Sequence, residues 1–269
     1  MSATLLLIDP QNDFCDIEGA ALPVAGADAD MRRAAQLIEH ANNLSRVVVT
    51  LDSHPTVAIE RPTFWSQGNG ESVAPFTQIT EADVAAKRFV PRDARLLPDV
   101  LNYLRALERS NRYRLMVWPV HCVLGTWGHN IHSALQASLA QWEERTQRNA
   151  LKILKGANPM TEQYSAVQAE VPVQSDPLTL RNAQLIESCR PGSGYLVVAG
   201  EAASHCVAAT MEHIFEAFDA QERSRTILLK DCMSPVRGFE KQAAQFLERA
   251  QAAGARVLTS DQALQAINA

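Results

Sequence analysis

The sequence lacks the features that mark several common classes of protein. No apolar run reaches the length of a membrane-spanning helix, and there is no internal repeat or low-complexity tract. The five cysteines include no CxxC pair, so we expect neither a disulfide framework nor an all-thiolate zinc site. The formal net charge of -5 disfavours nucleic acid and anionic membranes as partners. The first residues lack the basic stretch of a signal peptide, and we therefore expect a cytoplasmic protein.

Short apolar runs alternate with helical periodicity along most of the chain. Strands are predicted for residues 4–9, 46–52, 114–119, 151–156, 195–200, 226–231 and 256–259. Helices are predicted for residues 28–44, 98–110, 132–147, 179–189, 206–220, 238–253 and 261–267, the last with Ser260 as its N-cap. Continuous apolar runs are typical of strands that are buried on both faces. The alternation predicts a three-layer α/β/α domain with a mainly parallel sheet of about six strands.

Residues 55–97 interrupt this alternation. The segment contains four prolines and two glycines and has few periodic apolar positions. We expect a long loop inserted into a single domain that covers residues 1–269. Loops of this length are usually functional. Its aromatic residues Phe64, Trp65 and Phe76 could cover a ligand, or they could pack a satellite core or a subunit interface.

Reactive side chains follow several of the predicted strands. Asp9 ends the first strand, Lys155 ends the fourth, and Cys206 lies just after the fifth, where a helix begins. Ligands of open α/β sheets bind outside the carboxyl ends of the strands, so these side chains could meet. The helix N-terminus and Lys155 would favour the Cys206 thiolate, and Asp9 could accept the thiol proton. The ordinary alternatives are a buried thiol, a turn aspartate and a surface lysine.

A second set of residues could bind a metal ion. Asp52 and His54 are two positions apart in the segment LDSHP, so in extended backbone both side chains point the same way. His121 would supply a third ligand from a distant loop. Two histidines and one carboxylate suit Zn²⁺, Fe²⁺ or Mn²⁺. The alternative for each of these histidines is an ordinary hydrogen-bonded loop residue.

Taken together, these segments resemble the nicotinamidase branch of the isochorismatase-like cysteine hydrolases. The resemblance covers residues 4–210, and its motifs occur in the family's order: IDPQNDF, LPVAGA, LDSHP, WPVHCVLGTWG, LKGANPMTEQYSAV and GEAASHCV. It implies the isochorismatase-like fold and hydrolysis of a small carboxamide such as nicotinamide, through a thioester, to the acid and ammonia. The alternatives are a related hydrolase of another small amide, carbamoyl or ureido compound, and a catalytically silent ligand-binding relative.

The resemblance also implies a role for individual residues. It implies a catalytic triad of Asp9, Lys155 and Cys206. It implies a divalent metal, with Zn²⁺ first and Fe²⁺ or Mn²⁺ as alternatives, on Asp52, His54 and His121. It further implies a cis peptide bond before Ala202 and an oxyanion hole formed by the N–H groups of Ala202 and Cys206. We expect a small-molecule amide as the partner, no nucleic acid or membrane partner, and a homo-oligomer.

The chain departs from the family's pattern beside the expected oxyanion hole. Glu201 stands where an aliphatic residue is usual, and Ser204 and His205 precede the nucleophile. An anion at position 201 would oppose the negative charge that develops on the substrate oxygen. We therefore expect the Glu201 side chain to point away from the site, to pair with an arginine or lysine, or to contact a polar group of the substrate.

Overall fold

The computed structural model describes residues 2–269, and a six-stranded parallel sheet forms its centre. The strands, in chain order, are β1 (Ala3–Ile8), β2 (Leu44–Asp52), β3 (Trp65–Gln67), β4 (Thr77–Ile79), β5 (Phe89–Pro91), β6 (Leu115–Val117), β7 (Leu151–Lys155), β8 (Tyr195–Gly200), β9 (Thr226–Leu229) and β10 (Arg256–Leu258). The order of strands in the central sheet is β10-β9-β8-β1-β2-β7, and every neighbouring pair is parallel. This confirms the predicted fold class.

Helices cover both faces of this sheet. In chain order they are α1 (Ala27–His40), α2 (Glu81–Ala85), α3 (Leu97–Ser110), α4 (Ser133–Thr146), α5 (Ala183–Cys189), α6 (Cys206–Ala217), α7 (Ala220–Ser224), α8 (Glu240–Ala252) and α9 (Ser260–Asn268). The predicted N-cap of the last helix is wrong by one residue, because Thr259 caps it by accepting a hydrogen bond from the Gln262 N–H. Across residues 2–269, no helix is both long and apolar enough to cross a membrane.

Alternating residues of the central strands fill two separate cores. Leu5 and Leu7 of β1 pack with α1, α4 and α9 on one face of the sheet. Leu6 and Ile8 pack with α5, α6 and α8 on the other face. Since side chains of a strand alternate between the two faces, a strand buried on both faces must be apolar throughout, as the run in β1 is.

The segment 55–97 is not the irregular loop that its sequence pattern predicts. It contains β3, β4, α2 and β5, and it packs with α3 around a third apolar cluster. Phe64 and Trp65 lie in that cluster, whereas Phe76 is exposed and lies against the Trp118 ring, with the ring centroids 5.9 Å apart. The predicted strand at 114–119 also belongs here: β6 pairs antiparallel with β4, outside the central sheet.

The sheet topology fixes where a ligand can bind. From β1 the chain proceeds to β2 on one side, and from β8 it proceeds to β9 on the other side. Since β1 and β8 are neighbours, a crevice opens between the loops that follow their carboxyl ends. Asp9 directly follows β1, and Cys206 is the first residue of α6, just after the turn that follows β8, so both face this switch point of the topology.

We predict that Leu7→Ala will lower the free energy of unfolding by about 2–5 kcal/mol, because it leaves a cavity beside the sheet. Leu7 has no exposed surface, whereas Leu178 is 70% exposed. The matched variant Leu178→Ala should therefore change stability by about 0.5 kcal/mol or less. Urea unfolding of both variants measures the difference, and equal losses would contradict the assignment of Leu7 to the core.

Candidate active site and metal centre

The side chains of the predicted triad meet at the switch point. Lys155 Nζ lies 3.0 Å from Asp9 Oδ2 and 3.6 Å from Cys206 Sγ. The same ammonium lies 2.7 Å from Asp52 Oδ1 and donates to the main-chain oxygen of Gln163 at 3.0 Å. All of these charged or reactive side chains are buried. The arrangement joins the three residues to the predicted metal ligand Asp52, while their catalytic roles stay a prediction.

The ionisation of Cys206 depends on more than the neighbouring ammonium. Burial raises the pKa of the Cys206 thiol well above its usual value, and Lys155 opposes this only in part. Asp9 and Asp52 raise the pKa further. Lys155 therefore favours the thiolate, as expected, but burial and two carboxylates outweigh its effect on the pKa.

Asp9 lies where it can receive the thiol proton. Burial raises the pKa of the Asp9 carboxyl, although Lys155 acts to lower it. Thr50 Oγ1 donates to Asp9 Oδ1 at 2.5 Å, and the Cys206 thiol is within hydrogen-bonding reach of the same carboxyl. Asp9 also has a left-handed backbone, with φ of 47°. Such a conformation is uncommon outside glycine and often occurs at functional sites.

The three predicted metal ligands also converge. Asp52, His54 and His121 each offer a ligand atom, and these atoms lie within 4.8 Å of one another. Asp52 Oδ2 is 2.8 Å from His54 Nε2 and 3.4 Å from His121 Nε2. All three side chains are buried. A carboxylate oxygen and two imidazole nitrogens at this spacing could hold one divalent ion.

Both histidines are oriented by a second partner. Glu60 Oε1 lies 3.1 Å from His54 Nδ1, and the Pro119 main-chain oxygen lies 2.8 Å from His121 Nδ1. A metal-binding histidine typically donates its other ring N–H to such an oxygen, which leaves the opposite nitrogen free to bind the ion. The Glu60 contact fits this pattern for His54, whereas His121 Nδ1 also contacts the Arg61 guanidinium, which can only donate.

Burial and the neighbouring Arg61 lower the pKa of His121 to about 4, so its ring is neutral. For His54, burial acts to lower the pKa, but the Asp52 carboxylate outweighs it and raises the pKa to about 9, so a divalent ion would have to displace a proton from this ring.

Gly156 leaves the space that this cluster occupies. A Cβ atom at this position would lie 2.7 Å from His54 Cε1 and 3.1 Å from Asp52 Oδ1. Gly156 also has a φ of 80°, which favours glycine. The residue directly after Lys155 therefore has to be small for the lysine and the metal ligands to lie side by side. Together with the oriented histidines, this fit supports a metal site.

The sequence motifs contain residues whose positioning role was not predicted. Asp13 Oδ2 accepts a hydrogen bond from the Cys122 N–H at 2.7 Å and so fixes the loop that carries His121. Gln11 Oε1 accepts from the Asp52 N–H at 2.7 Å. Both residues belong to the motif IDPQNDF, so that motif was the feature of the sequence from which their role could have been predicted. The contact between Glu60 and His54 had no such signal, because Glu60 lies in the segment predicted as a loop.

An aromatic pocket opens onto the thiol. It is lined by Phe14, Leu22, Asp52, Trp118, His121, Glu162, Tyr164, Ala202, His205, Cys206 and Val236. His205 packs against Trp118 and Tyr164 at ring-centroid distances of 5.2 and 5.3 Å. Burial lowers the pKa of His205 to about 4, so its ring is neutral near pH 7. Burial and Glu60 raise the pKa of Glu162 to about 8. Apart from the Asp52 carboxylate, the pocket therefore presents flat, uncharged walls beside Cys206.

The turn before Cys206 has the backbone that the resemblance implies. The peptide bond between Glu201 and Ala202 is cis. Among residues 2–269, no acceptor is paired with the N–H of Ala202 or of Cys206. Two unpaired N–H groups beside a thiol could donate hydrogen bonds to an oxyanion.

We predict that Gly156→Ala will reduce metal content from about one divalent ion per chain to a small fraction of that value, because the new methyl group would crowd Asp52 and His54. Gly70→Ala is the matched control. Gly70 has a comparable φ of 90°, but nothing lies within 4 Å of its added Cβ. Elemental analysis of purified protein measures both variants. Full metal content in Gly156→Ala would contradict the proposed ligand cluster.

The fold is shared with solved nicotinamidases. No family model matches the chain, and no curated protein matches its sequence. The structure is similar to the nicotinamidase and pyrazinamidase of Acinetobacter baumannii, with 22% identity, coverage of 97% of each chain and a TM-score of 0.64. The yeast nicotinamidase has 20% identity, coverage of 95% of this chain and 99% of its own, and a TM-score of 0.65.

A zinc-bound structure is similar as well. The pyrazinamidase of Pyrococcus horikoshii in complex with zinc has 19% identity, coverage of 96% of this chain and 99% of its own, and a TM-score of 0.55. At these identities the likeness establishes the architecture. The chain has the isochorismatase-like α/β fold that these nicotinamidases and pyrazinamidases share.

Proposed function

We propose that this protein is a metal-dependent cysteine amidohydrolase that cleaves a small carboxamide such as nicotinamide to the acid and ammonia. The observation that carries the proposal is the contact of Lys155 with Asp9, Asp52 and Cys206 at the edge of an aromatic pocket. The shared fold of solved nicotinamidases supports it.

The first half of the reaction forms a thioester. Cys206 Sγ attacks the carboxamide carbon as Asp9 takes the thiol proton, because the raised pKa of the thiol requires a base to act in step with attack. The carbonyl oxygen becomes an oxyanion and accepts hydrogen bonds from the N–H groups of Ala202 and Cys206. One such donor contributes roughly 3–4 kcal/mol in a well-studied hydrolase. The C–N bond then breaks, and Asp9 gives its proton to the departing nitrogen, which leaves as ammonia.

The second half releases the acid. A water molecule attacks the thioester carbon, and Asp9 takes a proton from that water. The C–S bond breaks, and the thiol is restored as Asp9 passes the proton back to sulfur. Lys155 stays charged throughout, because Asp52 and Asp9 raise its pKa even though burial alone would lower it. Its ammonium keeps the two carboxylates in position around the changing charge.

Asp52, His54 and His121 would hold the metal ion beside this pocket. Zn²⁺ is the first candidate, since a ligand set of two nitrogens and one oxygen suits it and a structurally similar pyrazinamidase is bound to zinc. Fe²⁺ and Mn²⁺ suit the same ligands. When bound, the ion would supply a Lewis acid that orients the substrate or a water molecule.

The pocket favours a flat, uncharged amide. Phe14, Trp118, Tyr164 and the neutral His205 surround the approach to Cys206. Structures of the yeast and Leishmania infantum relatives hold nicotinaldehyde and nicotinate, which are flat heteroaromatic compounds. Nicotinamide is therefore the first substrate to test, with other small amides, carbamoyl and ureido compounds as alternatives. A cytoplasmic location and a homo-oligomeric assembly stay predictions.

We predict that Cys206→Ala will remove turnover while the fold stays intact, because no other group replaces the attacking sulfur. Asp9→Asn keeps the shape of Asp9 and removes its basicity, so it should lose nearly as much rate. The double variant should be no slower than Cys206→Ala alone, since both residues act in one step. Ammonia release with nicotinamide measures all three variants, and circular dichroism checks the fold.

Cys122→Ala is the control for this series. Cys122 lies beside His121, and burial raises the pKa of its thiol well above the usual value. Its substitution should leave most of the activity, because its N–H holds the loop through Asp13 and its sulfur makes only a long contact, 4.0 Å, with the Gly128 oxygen. Turnover retained by Cys206→Ala and lost by Cys122→Ala would reverse the assignment of the nucleophile.

We further predict that removing the metal with a chelator will abolish ammonia release and that adding Zn²⁺, Fe²⁺ or Mn²⁺ will restore it. His54→Ala and His121→Ala should neither bind the ion at full occupancy nor recover on its addition, because each lacks one ligand. A panel of amides assayed with reconstituted protein identifies the substrate. Full activity without metal would restrict the ion to a structural role, and inactivity on every amide would favour a silent ligand-binding protein.

A further inference from the structure

Glu201 is a buried carboxyl group beside the nucleophile that the proposed reaction does not use. It directly follows β8 and precedes Ala202, yet its side chain does not line the pocket. Glu201 has no exposed surface, and its Oε2 atom accepts a hydrogen bond from the Ser234 N–H at 3.1 Å. The carboxyl group therefore points away from the pocket, as one of the sequence-based expectations held. Within residues 2–269 it has no arginine or lysine partner, so the expected pairing with a cation is not found.

A second buried carboxyl group lies against it. Asp30 of α1 is 3% exposed and within hydrogen-bonding reach of Glu201. Its Oδ2 accepts from Ser234 Oγ at 2.6 Å, and its Oδ1 accepts from Arg33 at 2.5 Å. Glu201 Oε1 is buried and, among residues 2–269, has no donor. Two buried carboxylates side by side would repel each other, so one proton between them satisfies the otherwise unpaired oxygen.

This carboxyl pair adjoins a series of hydrogen bonds that hold the oxyanion turn, which we define as residues 200–204. The Gly200 N–H donates to the Cys232 oxygen, and the Ala203 N–H donates to the Ser234 oxygen, each at 2.9 Å. The Val236 N–H donates to Ser204 Oγ at 3.1 Å. The segment 232–236 therefore runs alongside the turn, and the carboxyl pair connects both to α1.

We propose that Glu201 is a positioning residue, whose protonated carboxyl donates to Asp30 while accepting from Ser234, and so holds the Ala202 N–H in place for the oxyanion. The proposal rests on the proposed function for its kinetic consequence. The shared proton itself concerns the fold alone and can be tested without a substrate. An aliphatic residue at position 201 could fill the volume but could not connect the turn to α1 and Ser234.

The surroundings keep this proton in place. Burial raises the pKa of Glu201 well above its usual value, and the nearby Asp30 and Asp16 raise it further, while the Ser234 N–H acts to lower it. Arg33 is the nearby cation, and it contacts Asp30 rather than Glu201. The Asp231 carboxylate is turned toward Ser260. The other titratable groups that face this pair from adjacent segments are the thiols of Cys15 and Cys232.

The kinetic test compares Glu201→Gln with Glu201→Leu. A glutamine can accept from Ser234 and donate to Asp30 as the protonated glutamate does, so its kcat should stay within about threefold of wild type. A leucine can do neither, so kcat with nicotinamide should fall about tenfold or more while KM changes little, as expected for a contact that serves the transition state. Glu18→Gln makes the same chemical change at an exposed position and is the control.

The pH test measures stability and needs no substrate. It can be carried out in the wild-type background or in the Cys206→Ala background. Folding raises the pKa of Glu201 above its value in the unfolded chain, which is near 4.5. The contribution of such a carboxyl to stability is complete below the unfolded pKa and is lost as the pH rises toward the pKa in the folded protein. Glu201→Gln cannot lose a proton. Above pH 4.5, the parent protein should therefore lose stability relative to Glu201→Gln. The ratio of the parent's unfolding equilibrium constant to that of the variant should rise by up to about tenfold per pH unit. Glu18→Gln should show no such trend.

The outcomes separate the two proposals. A stability difference between Glu201→Gln and its parent that does not vary from pH 5 to pH 8 would overturn the shared proton. Equal kcat in wild type and Glu201→Leu, or equal losses in the leucine and glutamine variants, would overturn the positioning role. If wild type hydrolyses no amide, the proposed function fails, and the pH dependence of stability still decides whether Glu201 and Asp30 share a proton.

Discussion

The buried ammonium of Lys155 is the contact on which the whole site depends. It touches Asp9 on one side and Asp52 on the other, and it reaches the sulfur of Cys206. Without this cation, Asp9 would be left as a buried carboxylate with no cationic partner, and Asp52 would depend on His54 alone, which is strongly destabilising. One side chain therefore holds together the proposed nucleophile, its proposed base and the predicted metal ligand Asp52. The lysine stands on β7, so the position of that strand in the sheet sets the geometry of the site.

Much of this arrangement could be predicted because it depends on short-range pattern. Apolar runs that end in Asp9, Asp52 and Lys155 identify strands and their carboxyl ends, and parallel strands bring those ends to one edge. The six-stranded sheet and the convergence of the site residues follow from that rule. The position of Thr259 as an N-cap was missed because Ser and Thr both cap helices well, and only the hydrogen bond distinguishes them.

The remaining features depend on contacts between residues distant in sequence. The pKa of Cys206 could not be judged from its place at a helix start, because burial beside Asp9 and Asp52 decides it. The contact of Glu201 with Asp30 depends on how α1 packs on the sheet. Segment 55–97 was predicted as a loop because its strands have only three residues each, too few to show a periodic pattern.

The short strand β6 has a consequence for how the pocket is built. Its residues Leu115 and Val117 face the third apolar cluster, while Met116 and the following Trp118 pack with the core that contains Cys206. A shift of pairing between β6 and β4 by one residue would exchange these two sets of side chains. The Trp118 indole would then leave the wall of the aromatic pocket, and an aliphatic residue would take its place. The register of a single three-residue strand thus determines the chemical character of one side of the pocket.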